Sequence, residues 1–207
     1  MRIVIFANGR MDWPFEIQND DFIIAADGGA RHCLERQIRP DIVIGDMDSL
    51  SPSDIARLET DGAEIITFPA RKDFTDLELA LRKAQELDAS EVLLLGALGA
   101  RWDQTIANLL LPSAYATMCI RLLDGPQEIS FLRGGEELEL VGQPGDTVSL
   151  IPLAGDATGV ATQNLEYPLN GDRLVFGGSR GVSNVLTAES AKVSLQEGLL
   201  LCVVIHH

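Results

Sequence analysis

Short apolar runs recur along the first 125 residues, each followed by Gly with Asp or Asn and then by a stretch of helical periodicity. "RIVIFA" leads into Asn8-Gly9, and "DFIIAA" into "DGGA" and the amphipathic "ARHCLERQ". "DIVI" leads into "GDMDSL" and a helical pattern over Ser51 to Asp61. "EIITFP" precedes "ARKDFTD" and "LELALRKAQEL", while "EVLLLG" precedes "ALGARWDQ" and "TIANLLL", which Pro112 stops. Continuous β-branched and leucine runs have no polar face, so they predict strands of a parallel sheet covered on both sides. Alternation with helices predicts right-handed crossovers. The expected first domain, residues 1–125, is α/β and Rossmann-like, with a mainly parallel sheet.

From about Gly125 the pattern changes. Helical periodicity nearly vanishes, and "EISFLR", "ELELV", "TVSLIPL", "GVATQ", "RLVF", "AKVSLQ" and "LLLCVVI" stand between Gly, Pro and Asp turns. Short strands at regular spacing predict an all-β sandwich over residues 126–207. No long linker or low-complexity segment separates the halves.

Composition narrows the function classes. The 207 residues carry 31 acidic against 16 basic side chains, a formal charge of −15. Such a surface repels phosphate backbones, so neither nucleic acid nor a membrane is the expected partner. A polyphosphate fits only where local bases or metal ions reverse the field. Three cysteines, Cys33, Cys119 and Cys202, lie far apart without CxxC spacing, which supports neither a zinc site nor a disulfide framework. A reducing, cytoplasmic setting is expected. The first apolar run is too short for a signal peptide or a membrane span. His206 and His207 are left out of the functional reading.

Within this frame "GDMDSL" stands out, with two carboxylates one residue apart where a strand should end. Alone it reads as a solvated turn. Yet Asp27, Asp46, Asp48, Asp73, Asp76 and Asp103 all follow predicted strands, and in a parallel sheet such connections share the carboxyl edge where α/β proteins bind ligands. Carboxylates crowded there repel one another unless cations are present. An oxygen-only donor set suits a hard ion, Mg²⁺ above others. Glycines 28, 29, 45, 96 and 99, the bases Arg71, Lys72 and Arg101, and several helix N-termini complete an edge suited to a nucleoside triphosphate. Asp73 and Asp76 ahead of "LELAL" also read as a capping pair. Neither GxGxxG nor GxxxxGK[ST] occurs, so no dinucleotide fingerprint or P-loop is supported.

In order, "ADGGA" (26–30), "GDMDSL" (45–50), "KDFTDLELAL" (72–81) and "GALGARWDQTIANLL" (96–110) resemble successive motifs of the thiamine pyrophosphokinase family. "YPLNGDRLVFGGSRGVSN" (167–184) resembles that family's thiamine-binding β domain. The resemblance implies an α/β catalytic domain binding ATP and Mg²⁺, followed by a thiamine-binding β-sandwich. It also implies an enzyme that moves the pyrophosphoryl group of ATP to the hydroxyl of thiamine, giving thiamine diphosphate and AMP. It makes Asp46, Asp48 and Asp76 the Mg²⁺ carboxylates, with Asp27 in support. Lys72, Asp73, Thr75, Arg101 and Gln104 fall on the ATP and phosphate side. Asp103 becomes an acid that orients or deprotonates the reacting hydroxyl, and Ser183 and Asn184 contact thiamine. A homodimer with thiamine at the subunit boundary is implied as well.

The chain departs from the family pattern in places. Gly99-Ala100-Arg101-Trp102-Asp103-Gln104 stands where Gly-Gly-Arg-x-Asp-His is usual, and Gln104 can position a group but not titrate. Val185 and Leu186 follow Asn184 where an acid and an aromatic are common. Two other classes remain: a pyrophosphokinase for another small alcohol such as a pterin, and a non-catalytic thiamine or nucleotide sensor.

Overall fold

The computed structural model describes residues 1–11, 15–99 and 101–207. The chain divides into two compact units, Met1–Gly125 and Pro126–His207. In the first, strands β1 (Arg2–Phe6), β2 (Phe22–Ala26), β3 (Ile42–Gly45), β4 (Glu64–Thr67), β5 (Glu91–Leu95) and β6 (Cys119–Asp124) lie in the order β6-β5-β1-β2-β3-β4. Every pairing among these six is parallel. Residues on both faces of β1 are sealed: Ile3 and Ile5 on one side and Val4 and Phe6 on the other are all 0% exposed. That two-sided burial is why the run carries no alternation. Strand β6 was not among the predicted runs, and Arg121 in its middle masks the pattern.

Helices α1 (Gly29–Glu35), α2 (Pro52–Thr60), α3 (Asp76–Glu86) and α4 (Trp102–Leu110) fill the crossovers after β2, β3, β4 and β5. Ser51 and Asp54 cap α2 reciprocally, each side chain bonding the other's backbone N–H. Along α3, Leu77, Ala80, Leu81 and Ala84 are buried at the i, i+3, i+4, i+7 spacing of a single helical face. The predicted "TIANLLL" helix starts earlier, at Trp102, and ends at Leu110. Pro112 lies in a following 3₁₀ turn, Leu111–Ala114, where its missing N–H is tolerated. The chain runs outward from β1 through β2, β3 and β4, then returns to β1's other side for β5 and β6. The order therefore switches beside β1, and a crevice opens at the carboxyl ends of the strands there.

The second unit contains β7 (Gln127–Arg133), β8 (Glu137–Val141), β9 (Thr147–Pro152), β10 (Ala157–Gln163), β11 (Asn170–Leu174), β12 (Asn184–Val185), β13 (Ser190–Ser194) and β14 (Leu199–Ile205). They form two antiparallel arrays, β12-β9-β14-β7 and β11-β10-β13-β8. Val148, Leu150, Leu200, Cys202 and Val204 from the first share one core cluster with Leu140, Val160, Ala191 and Val193 from the second. Burial pushes the Cys33 and Cys202 thiols up to about 12, which leaves them inert packing groups. His206 and His207 are tied down: Asp146, 4% exposed, contacts His206 Nδ1 at 3.0 Å and accepts the His207 N–H at 3.1 Å and that of Gln143 at 2.8 Å. Among the described residues, no helix is long and apolar enough to cross a membrane.

Candidate active site

A cleft of about 750 Å³ occupies the crevice of the first unit. Each βα connection contributes to it: Asn8 and Gly9 after β1, Asp27 after β2, Asp46 and Asp48 after β3, Lys72 and Phe74 to Asp76 after β4, and Gly96 and Gly99 after β5. Arg101, Gln104 and Asn108 from the start of α4 and its inner side close it. Asn108 is fixed by donating to the Ala97 carbonyl at 2.7 Å.

Backbone geometry aims the carboxylates. Met47 adopts φ +62° and is 9% exposed, so its side chain anchors the turn in the core while Asp46 and Asp48 point the other way. Asp46 Oδ1 accepts the Asp48 N–H at 3.3 Å, closing the turn. Asp27 also sits in the left-handed region, at φ +41°. Gly45 lets these elements meet, because a Cβ there would lie 2.8 Å from Asp27 Cβ and 3.1 Å from Asp76 Oδ1. On α3 the cap is Thr75, whose Oγ1 accepts the Glu78 N–H at 3.2 Å. The capping pair read from Asp73 and Asp76 is thus corrected. Thr75 holds the helix end, and Asp76 in the first turn is free to face the cleft.

Asp27, Asp46 and Asp76 bring one carboxylate oxygen each within 4.8 Å of one another. Lys72 Nζ lies 3.4 Å from Asp46 Oδ2 and 3.0 Å from Asp76 Oδ1. Burial alone would lower the Lys72 pKa, but pairing with Asp76 and Asp46 outweighs it and the net shift is upward. Asp76 is raised as well, chiefly by burial and further by the charges of Asp27 and Asp46, against the pull of Lys72. Asp27 is 5% exposed, and among the described residues its buried Oδ1 has no hydrogen-bond partner. An orphaned carboxylate oxygen facing two others is costly without a cation, and the all-oxygen set fits a hard divalent ion.

The sequence-predicted residues separate into groups. Asp46, Asp76, Asp27, Lys72, Thr75, Arg101 and Gln104 all line the cleft. Asp48 lines it too, but stays outside the close carboxylate group, where Asp27 takes the third place. Asp73 and Arg71 are exposed and lie off the lining. Asp103 is also exposed and off the lining, held by a bidentate pair with Arg101 at 3.1 and 2.5 Å that draws its carboxyl below the usual range. Ala100 in that motif lies outside the described residues. Sequence reasoning missed Asn8, Phe74 and Asn108. Asn8 abuts Gly28, whose absent side chain leaves it room, and Asn108 falls on the helix face turned inward.

In the second unit a cavity of about 270 Å³ is lined by Leu150, Tyr167 to Leu169, Ser179 to Val182 and Asn184. Asn184 is 7% exposed and its amide is committed. Oδ1 accepts the Tyr167 and Val185 N–H groups at 3.0 and 2.9 Å, and Nδ2 donates to the Tyr167 carbonyl at 2.8 Å. The residue expected on the thiamine side therefore lines the cavity and also clamps the backbone that forms its wall. Ser183, exposed at φ +61°, donates its backbone N–H to Ser149 Oγ at 3.1 Å and lies beside the cavity rather than in its lining.

Residues 15–122 match the family described as "Thiamin pyrophosphokinase, catalytic domain", and residues 137–200 match "Thiamin pyrophosphokinase, vitamin B1 binding domain". The chain is 29% identical over 182 residues to "Thiamine pyrophosphokinase" of Bacillus subtilis, spanning 87% of this chain and 85% of that one. It is 27% identical over 201 residues to "Thiamine pyrophosphokinase 1" of Arabidopsis thaliana, covering 86% and 75% of the two chains. The crystal structure of the Bacillus subtilis thiamine pyrophosphokinase superposes over 100% of both chains with a TM-score of 0.90 at 25% identity. That of the Geobacillus thermodenitrificans thiamin pyrophosphokinase covers 99% and 97%, with a TM-score of 0.86 at 28% identity. With the catalytic-domain match spanning more than half its length and including Asp27, Asp46 and Asp76, this chain belongs to the thiamin pyrophosphokinase family.

Proposed function

We propose that the protein is an ATP-dependent thiamine diphosphokinase, transferring the pyrophosphoryl group of ATP to the hydroxyl of thiamine to give thiamine diphosphate and AMP. The observation that carries this reading is the group formed by Asp27, Asp46 and Asp76 at the switch point of the parallel sheet, within the catalytic-domain match. Those three carboxylates would hold Mg²⁺, with Asp48 at the rim, and the ion supplies charge neutralisation on the oxygens of the transferred group.

The remaining residues bind and orient. Lys72 balances the carboxylates in the free protein and turns its ammonium to phosphate when ATP arrives. Thr75 keeps its oxygen on the α3 cap and donates its hydroxyl proton to a phosphate oxygen. Arg101 gives a second positive contact; Asp103, paired with it outside the lining in the free protein, would leave that pair to accept a hydrogen bond from the reacting hydroxyl. Gln104 positions without taking a proton. Attack falls on the β-phosphorus, so positioning and electrostatics carry the rate. The second unit, read as a β-sandwich, supplies the thiamine pocket around Ser183 and the Tyr167 segment. The protein acts as a cytoplasmic homodimer with each pocket shared between subunits, and sedimentation velocity checks the oligomer.

The test is incubation with ATP, Mg²⁺ and thiamine, with products identified by mass spectrometry. AMP and thiamine diphosphate in equal amounts, abolished by EDTA, are expected. Thiamine monophosphate with ADP would overturn the reading, and so would AMP formed only with a different alcohol.

A further inference from the structure

We infer that Phe74 is the stacking wall for the base of the nucleotide, a specificity-determining residue of the cleft. The inference rests on the reading of ATP as co-substrate. Exposed apolar side chains are common and single ones need no explanation. Phe74 differs in placement and in support. It is 37% exposed, and among the described residues it is the only aromatic side chain lining the cleft.

The ring is also braced. The guanidinium carbon of Arg82 lies 3.7 Å from its centroid. Arg82 in turn donates Nε and Nη2 to Glu78 Oε1, one helical turn back along α3, at 3.2 and 3.0 Å, so its plane is fixed. Tyr115, 7% exposed, lies close enough to Arg82 and Glu78 for both to act on its hydroxyl. Arg82 is itself outside the cleft lining, so the cation covers ring surface that the cleft does not use. A ring held this way loses little entropy on stacking, which is the advantage of a rigid aromatic contact.

Charge decides which planar group it takes. A cation on one face draws on the ring's quadrupole, so a second cation opposite is disfavoured while a neutral π-system is not. The thiazolium of thiamine is cationic and a nucleobase is neutral. Position agrees: Phe74 is two residues before Asp76, a span of at most about 7 Å along the chain. Phosphates engaged by Thr75 and the carboxylate group leave the base within reach of the ring.

Calorimetric titration without thiamine, in Mg²⁺, tests this with two ligands, ATP and inorganic tripolyphosphate, which has no base. The wild type should bind both. Phe74→Ala should weaken ATP about tenfold or more, the loss expected for one stacked base, and leave tripolyphosphate unchanged. Phe74→Trp should retain ATP affinity, and Arg82→Gln should weaken ATP a few-fold by freeing the ring. Equal loss of both ligands in Phe74→Ala would make Phe74 a support of the cleft only, and unchanged ATP affinity would remove the stacking; either result overturns the inference. A wild type that binds neither ligand overturns the nucleotide reading itself, and the stacking with it.

Discussion

Lys72 Nζ and Asp76 Oδ1 lie 3.0 Å apart, and Asp46 Oδ2 is 3.4 Å from the same ammonium. One positive charge therefore faces three carboxylates, counting Asp27, and the cluster keeps a net negative charge. Partly buried like charges raise the energy of the fold that holds them. Removing the ammonium should make this worse. Lys72→Ala is expected to lower the metal-free stability by about 1–2 kcal/mol, less than for a fully buried pair. Thermal melts should show the deficit shrinking when Mg²⁺ is added.

Asp76→Asn should act in the opposite direction. The Asp76 carboxyl is raised above 3.8, so its contribution is favourable in acid and is lost as pH rises through the raised value. At neutral pH the charged form opposes folding. The variant should melt a few degrees higher without metal, at about 2–4 °C per kcal/mol for this chain length, yet form almost no AMP. Mg²⁺ should stabilise the wild type and not the variant. A melting temperature that falls would mean that the Lys72 pairing and the α3 dipole dominate.

Asn184 and Ser183 should separate cleanly. Asn184→Ala leaves the Tyr167 N–H and carbonyl without their partner, which costs about 1–3 kcal/mol in a site this buried. Ser183→Ala removes only an exposed hydroxyl and should leave urea unfolding unchanged. If thiamine uses Ser183, the KM for thiamine rises in that variant while stability holds. A stable Asn184→Ala protein would show that the clamp contributes little.

Asp146 gives the second unit an acid limit. Burial pushes its carboxyl up, but the bonds from Gln143, His206 and His207 outweigh burial and hold it below 3.8. Its stabilisation is complete above that value and disappears as pH falls through the depressed one. Asp146→Ala should cost about 2 kcal/mol at pH 7 by stranding two backbone N–H groups. Urea titrations of the two proteins should converge in strong acid.

The strands were legible wherever burial is uniform: "RIVIF", "FIIAA" and "EVLLL" have no exposed face, and each lies where its run is. β6 was hidden because Arg121 interrupts its run, and β12 because two residues carry no period. Carboxylates following strands pointed to the cleft, since connectivity alone sends parallel-strand tips to one edge. It did not tell which acids meet. Asp48 and Asp46 look equivalent in "GDMDSL", and only the left-handed turn at Met47 sets them apart. The backbone bonds of Asn184 were equally closed to sequence, because an amide that clamps its own neighbours has the same composition as one that meets a ligand.

Gly45 lies outside the cleft lining, yet its missing methyl group is what lets Asp27 and Asp76 draw so near one another. The bite of the carboxylate group is thus governed from behind, by the backbone of a strand end, and not by the acids that form it. Exchanging one acid for another changes the charge and leaves that spacing alone. A single carbon added at Gly45 would widen the grip while every aspartate stayed in place.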